Sequence, residues 1–135
     1  MEIILKTETP ESGAVWNLFL SAGWNEEYNL TEEEYLNSVL NSRFVVSAYE
    51  NEKLIGYGRA VCDGIMHAMI YDLIVLPGFQ GRGAGGKILA ALVELCKESK
   101  IRDIQLFSAR GKKEFYMKRG FKSRDDEAPG MEYKK

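Results

Sequence analysis

Hydrophobic positions change their period along this chain, and each change marks an element. Glu2 to Thr7 reads as a short first strand. Thr9-Pro10 then predicts a helix start, with an N-cap followed by proline at the first helical position. Val15, Leu18 and Phe19 form the apolar stripe of that helix, Gly23 ends it, and Trp24 to Tyr28 reads as a loop. Thr31-x-x-Glu34 is a capping box for a second helix, whose buried side is Leu36, Val39 and Leu40. From Phe44 to Cys62 the period drops to two on either side of the polar turn Glu50 to Lys53. Asp63-Gly64 is a hairpin turn into a further strand, Met66 to Leu76.

The end of that strand changes character. Tyr71 to Leu76 is apolar and branched apart from Asp72, which suits a strand covered on both faces. Pro77-Gly78 stops it, and Gly81, Gly83, Gly85 and Gly86 follow. From Ala84 to about Ser99 a helix is predicted, with Ile88, Leu89, Leu92, Val93 and Cys96 on one buried face. Ile104 to Phe107 returns as a strand, so a right-handed crossover to a parallel neighbour is expected. Lys112 to Arg119 predicts a short helix stopped by Gly120, with Phe121 where the apolar contact of a Schellman cap falls. Met131 to Tyr133 predicts a last edge strand. The expected fold is mixed α+β: an antiparallel meander joined to a parallel β-α-β unit, flanked by helices.

Composition narrows the partners. At 135 residues, the chain is expected to form one domain, 1–135. A hydrophobic fraction of 45% and a charged fraction of 28% are those of a globular protein. A net charge of -2 argues against nucleic acid as a partner, because phosphate-backbone binders carry basic excess. No apolar run approaches the ~18 residues of a membrane span, and the start of the chain lacks a signal-peptide pattern. Cys62 and Cys96 have no metal-like spacing and are expected to be reduced thiols in a cytoplasm.

The glycine-rich turn carries the candidate chemistry. A loop this poor in side chains brings backbone N–H groups up to a phosphate, and the helix behind it adds partial positive charge. Three phosphate-binding templates compete for it. Gly81-Arg-Gly83-Ala-Gly-Gly86 fits the dinucleotide fingerprint formally, but the acidic residue that should end the next strand is missing, since Asp103 stands at its start. Gly81-x-x-x-x-Gly86-Lys87 nearly fits a P-loop, but Ile88 stands where a magnesium-binding hydroxyl is needed. The third template is Gln80-x-x-Gly83-x-Gly85. Here Leu73-Ile-Val-Leu-Pro-Gly-Phe-Gln-Gly-Arg-Gly-Ala-Gly85, followed by Phe115-Tyr-Met-Lys-Arg-Gly-Phe121, resembles the two signatures of the GNAT superfamily of N-acetyltransferases. The resemblance covers the C-terminal half, from Tyr71 to Phe121.

That resemblance implies an acetyl-CoA-dependent enzyme that acetylates a primary amine of a small molecule or peptide directly, in a ternary complex and without a metal. Backbone groups at Ile74, Val75 and Leu76 are expected to hold the pantetheine arm, with an N–H near Ile74 or Val75 stabilising the oxyanion. The turn residues Gln80, Gly81, Arg82, Gly83, Ala84 and Gly85 are expected on the pyrophosphate, with Arg82 and Lys87 adding charge. Tyr116 matches the family tyrosine that protonates the departing thiolate. For the acceptor, the candidates are Trp24, Glu26 and Tyr28, with the neighbouring Glu27, and Asp72 either as a base or as the anchor of a network. His67, the only histidine, reads as structural or exposed. A coenzyme A-binding module without catalysis is the alternative, and a second copy of the chain is admitted as a partner.

Overall fold

The structure, a computed structural model, describes residues 2–135. Five strands form one sheet in the order β1-β2-β3-β4-β5: Ile4–Lys6, Phe44–Glu50, Lys53–Cys62, His67–Val75 and Asp103–Leu106. The first four are antiparallel neighbours, and β5 joins β4 in parallel, its Asp103 N–H donating to Met66 C=O at 2.8 Å. The crossover between them is helix α4, Ala84–Glu98. The mixed architecture predicted from the periodicity is the one observed. By close packing, the chain divides into a unit through Gln105 and a second unit, Leu106–Lys135.

In the first unit, three helices precede β2. Helix α1 is Ser12–Ser21, and its N-cap is Glu11 rather than Thr9. The Glu11 carboxylate accepts from the Gly13 and Ala14 N–H groups, both at 3.0 Å, so two orphan donors are satisfied and Pro10 lies ahead of the helix. The segment expected as a loop contains a one-turn helix, α2, Asn25–Tyr28. Both amide atoms of Asn25 bind the Leu30 backbone, at 2.7 and 3.2 Å, and Asn29 takes a left-handed conformation to end the turn. Helix α3, Glu32–Leu40, opens with the predicted capping box of Thr31 and Glu34. Its buried residues are Tyr35 and Val39, while Leu40 is exposed, which corrects the predicted stripe by one side of the helix.

Helices α1 and α3 cover one face of the sheet. Val15, Leu18 and Phe19 meet Tyr35 and Val39 there, over Val45, Tyr57 and Ile74 of the strands. The Phe19 and Tyr35 rings stack with centroids 4.0 Å apart. Strand residues alternate between faces, so Gly56 and Gly58 point to the opposite side, under Ile88 and Leu92 of α4. A side chain at Gly56 would stand 2.8 Å from the Ile74 carbonyl oxygen, and one at Gly58 would stand 3.0 Å from Leu92. These two glycines let the helix behind the glycine-rich turn seat closely on the sheet.

In the second unit, helix α5 is Lys113–Met117. Gly120, at φ +95°, ends it in a Schellman cap: Phe121 N–H donates to Tyr116 C=O and Gly120 N–H to Met117 C=O. The Phe121 ring meets Tyr116 edge-on, as the cap predicts. Residues 131–133 form no strand, contrary to expectation, and Met131 and Tyr133 are exposed. With no apolar face turned inward, the segment gains no burial to offset the entropy of ordering it.

Candidate active site

Strand β4 is interrupted before it reaches the turn. Tyr57 pairs with Ile74 but Arg59 pairs with Tyr71, so three steps along β4 match two along β3. The extra residue is accommodated at Asp72, whose φ is +56°, in the left-handed region that Asp tolerates better than most side chains. Asp72 is not a free carboxylate. One of its oxygens accepts from Arg59 Nε at 2.8 Å and from the Tyr35 hydroxyl at 2.9 Å, with the Tyr57 hydroxyl 3.4 Å away. Tyr35 and Tyr57 also share a hydrogen bond. Burial, reinforced by the neighbouring Asp72, pushes both phenols well above their ordinary range, so they stay protonated donors. Burial works to lower the Arg59 guanidinium, and Asp72 beside it more than offsets this and leaves it raised.

Beyond the bulge, the backbone faces two ways. Leu76 N–H donates to Ile55 C=O at 2.8 Å, and Leu76 C=O accepts from Phe79 N–H at 2.9 Å. Both groups of Leu76 are therefore engaged within the protein. Ile74 shares that orientation by the two-residue period of a strand, leaving Val75 facing the other edge. Strand β5 begins beside Met66 and is four residues long, so among the described residues β4 positions 71–75 pair with no strand on that side. The Val75 N–H is the group of the three expected residues that points to that side. Its carbonyl accepts from the Gln80 side chain at 3.0 Å.

The turn itself has the predicted form. Pro77–Phe79 makes one 3-10 turn, and Gly81 and Gly83 adopt φ of +80° and +89°. Nothing lies within 4 Å of where a Cβ would stand at either glycine, so the outer side of the turn is open to a ligand. Gly83 is the N-cap of α4 and supplies no side-chain partner. The first intrahelical bond runs from Lys87 N–H to Gly83 C=O, which leaves the N–H groups of Ala84, Gly85 and Gly86 without helical acceptors. Three such donors at the positive end of a fifteen-residue helix fit a phosphate. Lys87 is exposed in the first turn behind them. Arg82 is held elsewhere: its Nη1 donates to both carboxylate oxygens of Glu50, at 3.0 and 3.2 Å.

A family model described as Acetyltransferase (GNAT) domain matches residues 6–130. The chain belongs to the GNAT acetyltransferase family. An uncharacterized N-acetyltransferase ycf52 of Pyropia yezoensis is 34% identical over 67% of this GNAT chain and 55% of its own length. The GNAT chain thus spans about half of that relative. Among solved structures, a probable acetyltransferase of unknown function from methicillin-resistant Staphylococcus aureus superposes with a TM-score of 0.85. It is 25% identical, with 99% of this chain and 100% of that one covered. The PaiA N-acetyltransferase of Thermoplasma acidophilum, solved with coenzyme A, gives a TM-score of 0.74 at 20% identity, over 93% of this chain and 92% of its own.

The remaining site candidates of this GNAT protein belong to different elements. Tyr116 lies in the second unit, half-buried against the edge of Phe115 at 5.1 Å, and burial raises its phenol above the ordinary value. Trp24 caps the start of α2 and Tyr28 is its last residue, with their rings 6.4 and 6.5 Å from Phe19, while Glu26 faces solvent. His67 Nδ1 lies 2.8 Å from Asp103, at the far end of β4 from the turn. Sequence reading missed Tyr35, Tyr57, Arg59 and Glu50. Its one available signal was a cation in the interior of one apolar strand and an anion in the interior of the next, Arg59 and Asp72, which low-dielectric burial allows only as a pair.

Proposed function

We propose that this protein is an acetyl-CoA-dependent N-acetyltransferase that moves acetyl directly to a primary amine within a ternary complex. The observation that carries the reading is the uncapped start of α4 behind Gly81 and Gly83, an anion site built from backbone. The coenzyme A in the PaiA relative supports the choice of ligand. The thioester supplies the acetyl group. The Ala84, Gly85 and Gly86 N–H groups hold the pyrophosphate, and Val75 N–H holds the thioester end beside β4. Tyr116 donates its proton to the departing sulfur. A phenol near pKa ~10 remains protonated at neutral pH, and a thiolate near ~8.5 is basic enough to take up a proton. Burial of Tyr116 strengthens the first condition. We assign the amine proton to water, because Asp72 is tied to Arg59 and two phenols. We assign the acceptor side to α2, through Trp24, Glu26 and Tyr28.

Incubation with acetyl-CoA and a panel of small amines, polyamines and peptides, reading free thiol, tests the activity. Acceptor-dependent thiol release is expected. Binding of coenzyme A with no release from any acceptor would favour a binding module instead.

Gly83→Val tests the turn. The left-handed φ makes a β-branched residue strained there, at a cost of about 1–3 kcal/mol, and its side chain occupies the open side of the turn. A lower melting temperature and loss of coenzyme A affinity by calorimetry are expected. Undiminished affinity in a folded variant would remove the turn from the site.

A further inference from the structure

Glu50 ends β2, is 4% exposed, and is the one charged residue among the buried residues described. A buried carboxylate is costly unless a cation meets it. The cation is Arg82, which stands between the two left-handed glycines of the turn and is itself half-exposed. The guanidinium also lies over the Phe79 ring, 5.2 Å from its centroid, and Lys53 holds its ammonium at the same distance from that ring. The turn leaves β4, two strands away from β2 in the sheet, so this pair is a long-range tether. Gln80, on Val75 C=O, supplies a second tether close to the strand end. Two glycines free to adopt many conformations cannot set the direction of the N–H groups around them. A fixed side chain between them can.

We infer that Glu50 is a positioning residue for the phosphate-binding turn, acting through Arg82. The inference rests on the coenzyme A reading above and deepens it. Arg82 then serves by geometry more than by charge, because Glu50 already neutralises it. Its Nη1 is committed to Glu50, and the planar fork leaves the Nε and Nη2 donors for a phosphate oxygen from a fixed direction. Arg82 was expected to add charge at the pyrophosphate; its pairing with Glu50 gives it a fixed direction as well.

The test compares coenzyme A with pantetheine, which lacks the pyrophosphate, by calorimetry on wild type, Glu50→Gln and Arg82→Lys. Wild-type binding of coenzyme A judges the coenzyme reading by itself, and its absence would sink both claims. Given that binding, Glu50→Gln is expected to lower coenzyme A affinity about tenfold, the usual scale for losing a charge-assisted hydrogen bond, and to leave pantetheine affinity unchanged. Arg82→Lys keeps the charge but not the fork, sits on an exposed turn, and should show the same selective loss even if Glu50→Gln folds poorly. Unchanged or increased coenzyme A affinity in either folded variant overturns the inference. An equal loss for pantetheine does so too, since it would mark a general structural role.

Discussion

Tyr116→Phe is expected to lower kcat by ~10²–10⁴-fold, the range for losing general-acid help, with coenzyme affinity nearly unchanged. The substitution keeps the ring and removes only the hydroxyl. The edge contacts with Phe115 and Phe121 and the Schellman bonds of Gly120 and Phe121 are ring and backbone features, so α5 should persist. The hydroxyl matters most when the thiolate forms, so its loss falls on the transition state and not on the bound thioester. The measurement is kcat and acetyl-CoA Kd for both proteins with an acceptor that supports turnover, under conditions where chemistry limits the rate. An unchanged kcat would make Tyr116 a packing residue and give the proton to water. A raised phenol pKa also fixes the sign of the pH dependence. Tyr116 stays a competent acid through neutral pH, and the hydroxyl-dependent part of kcat should decline only above its ordinary titration range.

The second large effect is on stability. Arg59→Met should cost about 3–5 kcal/mol, the range for removing one partner of a buried ion pair. Arg59 and Asp72 have side chains only 14% exposed, so solvent cannot replace the lost partner fully. The phenols of Tyr35 and Tyr57 still donate to Asp72 but carry no charge. Denaturant unfolding of wild type, Arg59→Met, Asp72→Asn and the double variant separates pair from site. Asn is the right partner change because it tolerates the left-handed φ that Asp72 adopts. The double variant should lose less than the sum of the singles, with a coupling of about 0.5–3 kcal/mol. Additive losses would mean that the two residues act independently and that the bulge in β4 is held by other contacts.

The sequence by itself determined the strand order of the meander, the capping box on α3, the crossover helix and the Schellman end of α5. Each rests on a local rule: a two-residue or a 3.6-residue apolar period, or a capping residue at a fixed offset. It also marked the glycine-rich turn ahead of α4, because glycines before an apolar helical stripe signal a tight strand-to-helix turn. Thr9-Pro10 carries the local pattern of a helix start, yet only the folded chain shows the Glu11 carboxylate reaching two backbone donors. The same holds for α2, whose one turn has no apolar period and depends on the Asn25 brace to Leu30.

Tertiary structure alone decided what the polar residues of the site touch. Glu50 and Arg82 are 32 residues apart in the chain, and Tyr35 and Asp72 are 37 apart. No period or motif links positions at such separations, because the contacts arise from the order of strands and from which helix covers which face. The sequence offered Arg82 as a phosphate ligand and Asp72 as a base or an anchor. The fold ties the first to a buried carboxylate and the second to a guanidinium and two phenols. Burial explains both outcomes. A charge removed from water must find its opposite, and the sheet determines which partner stands within reach.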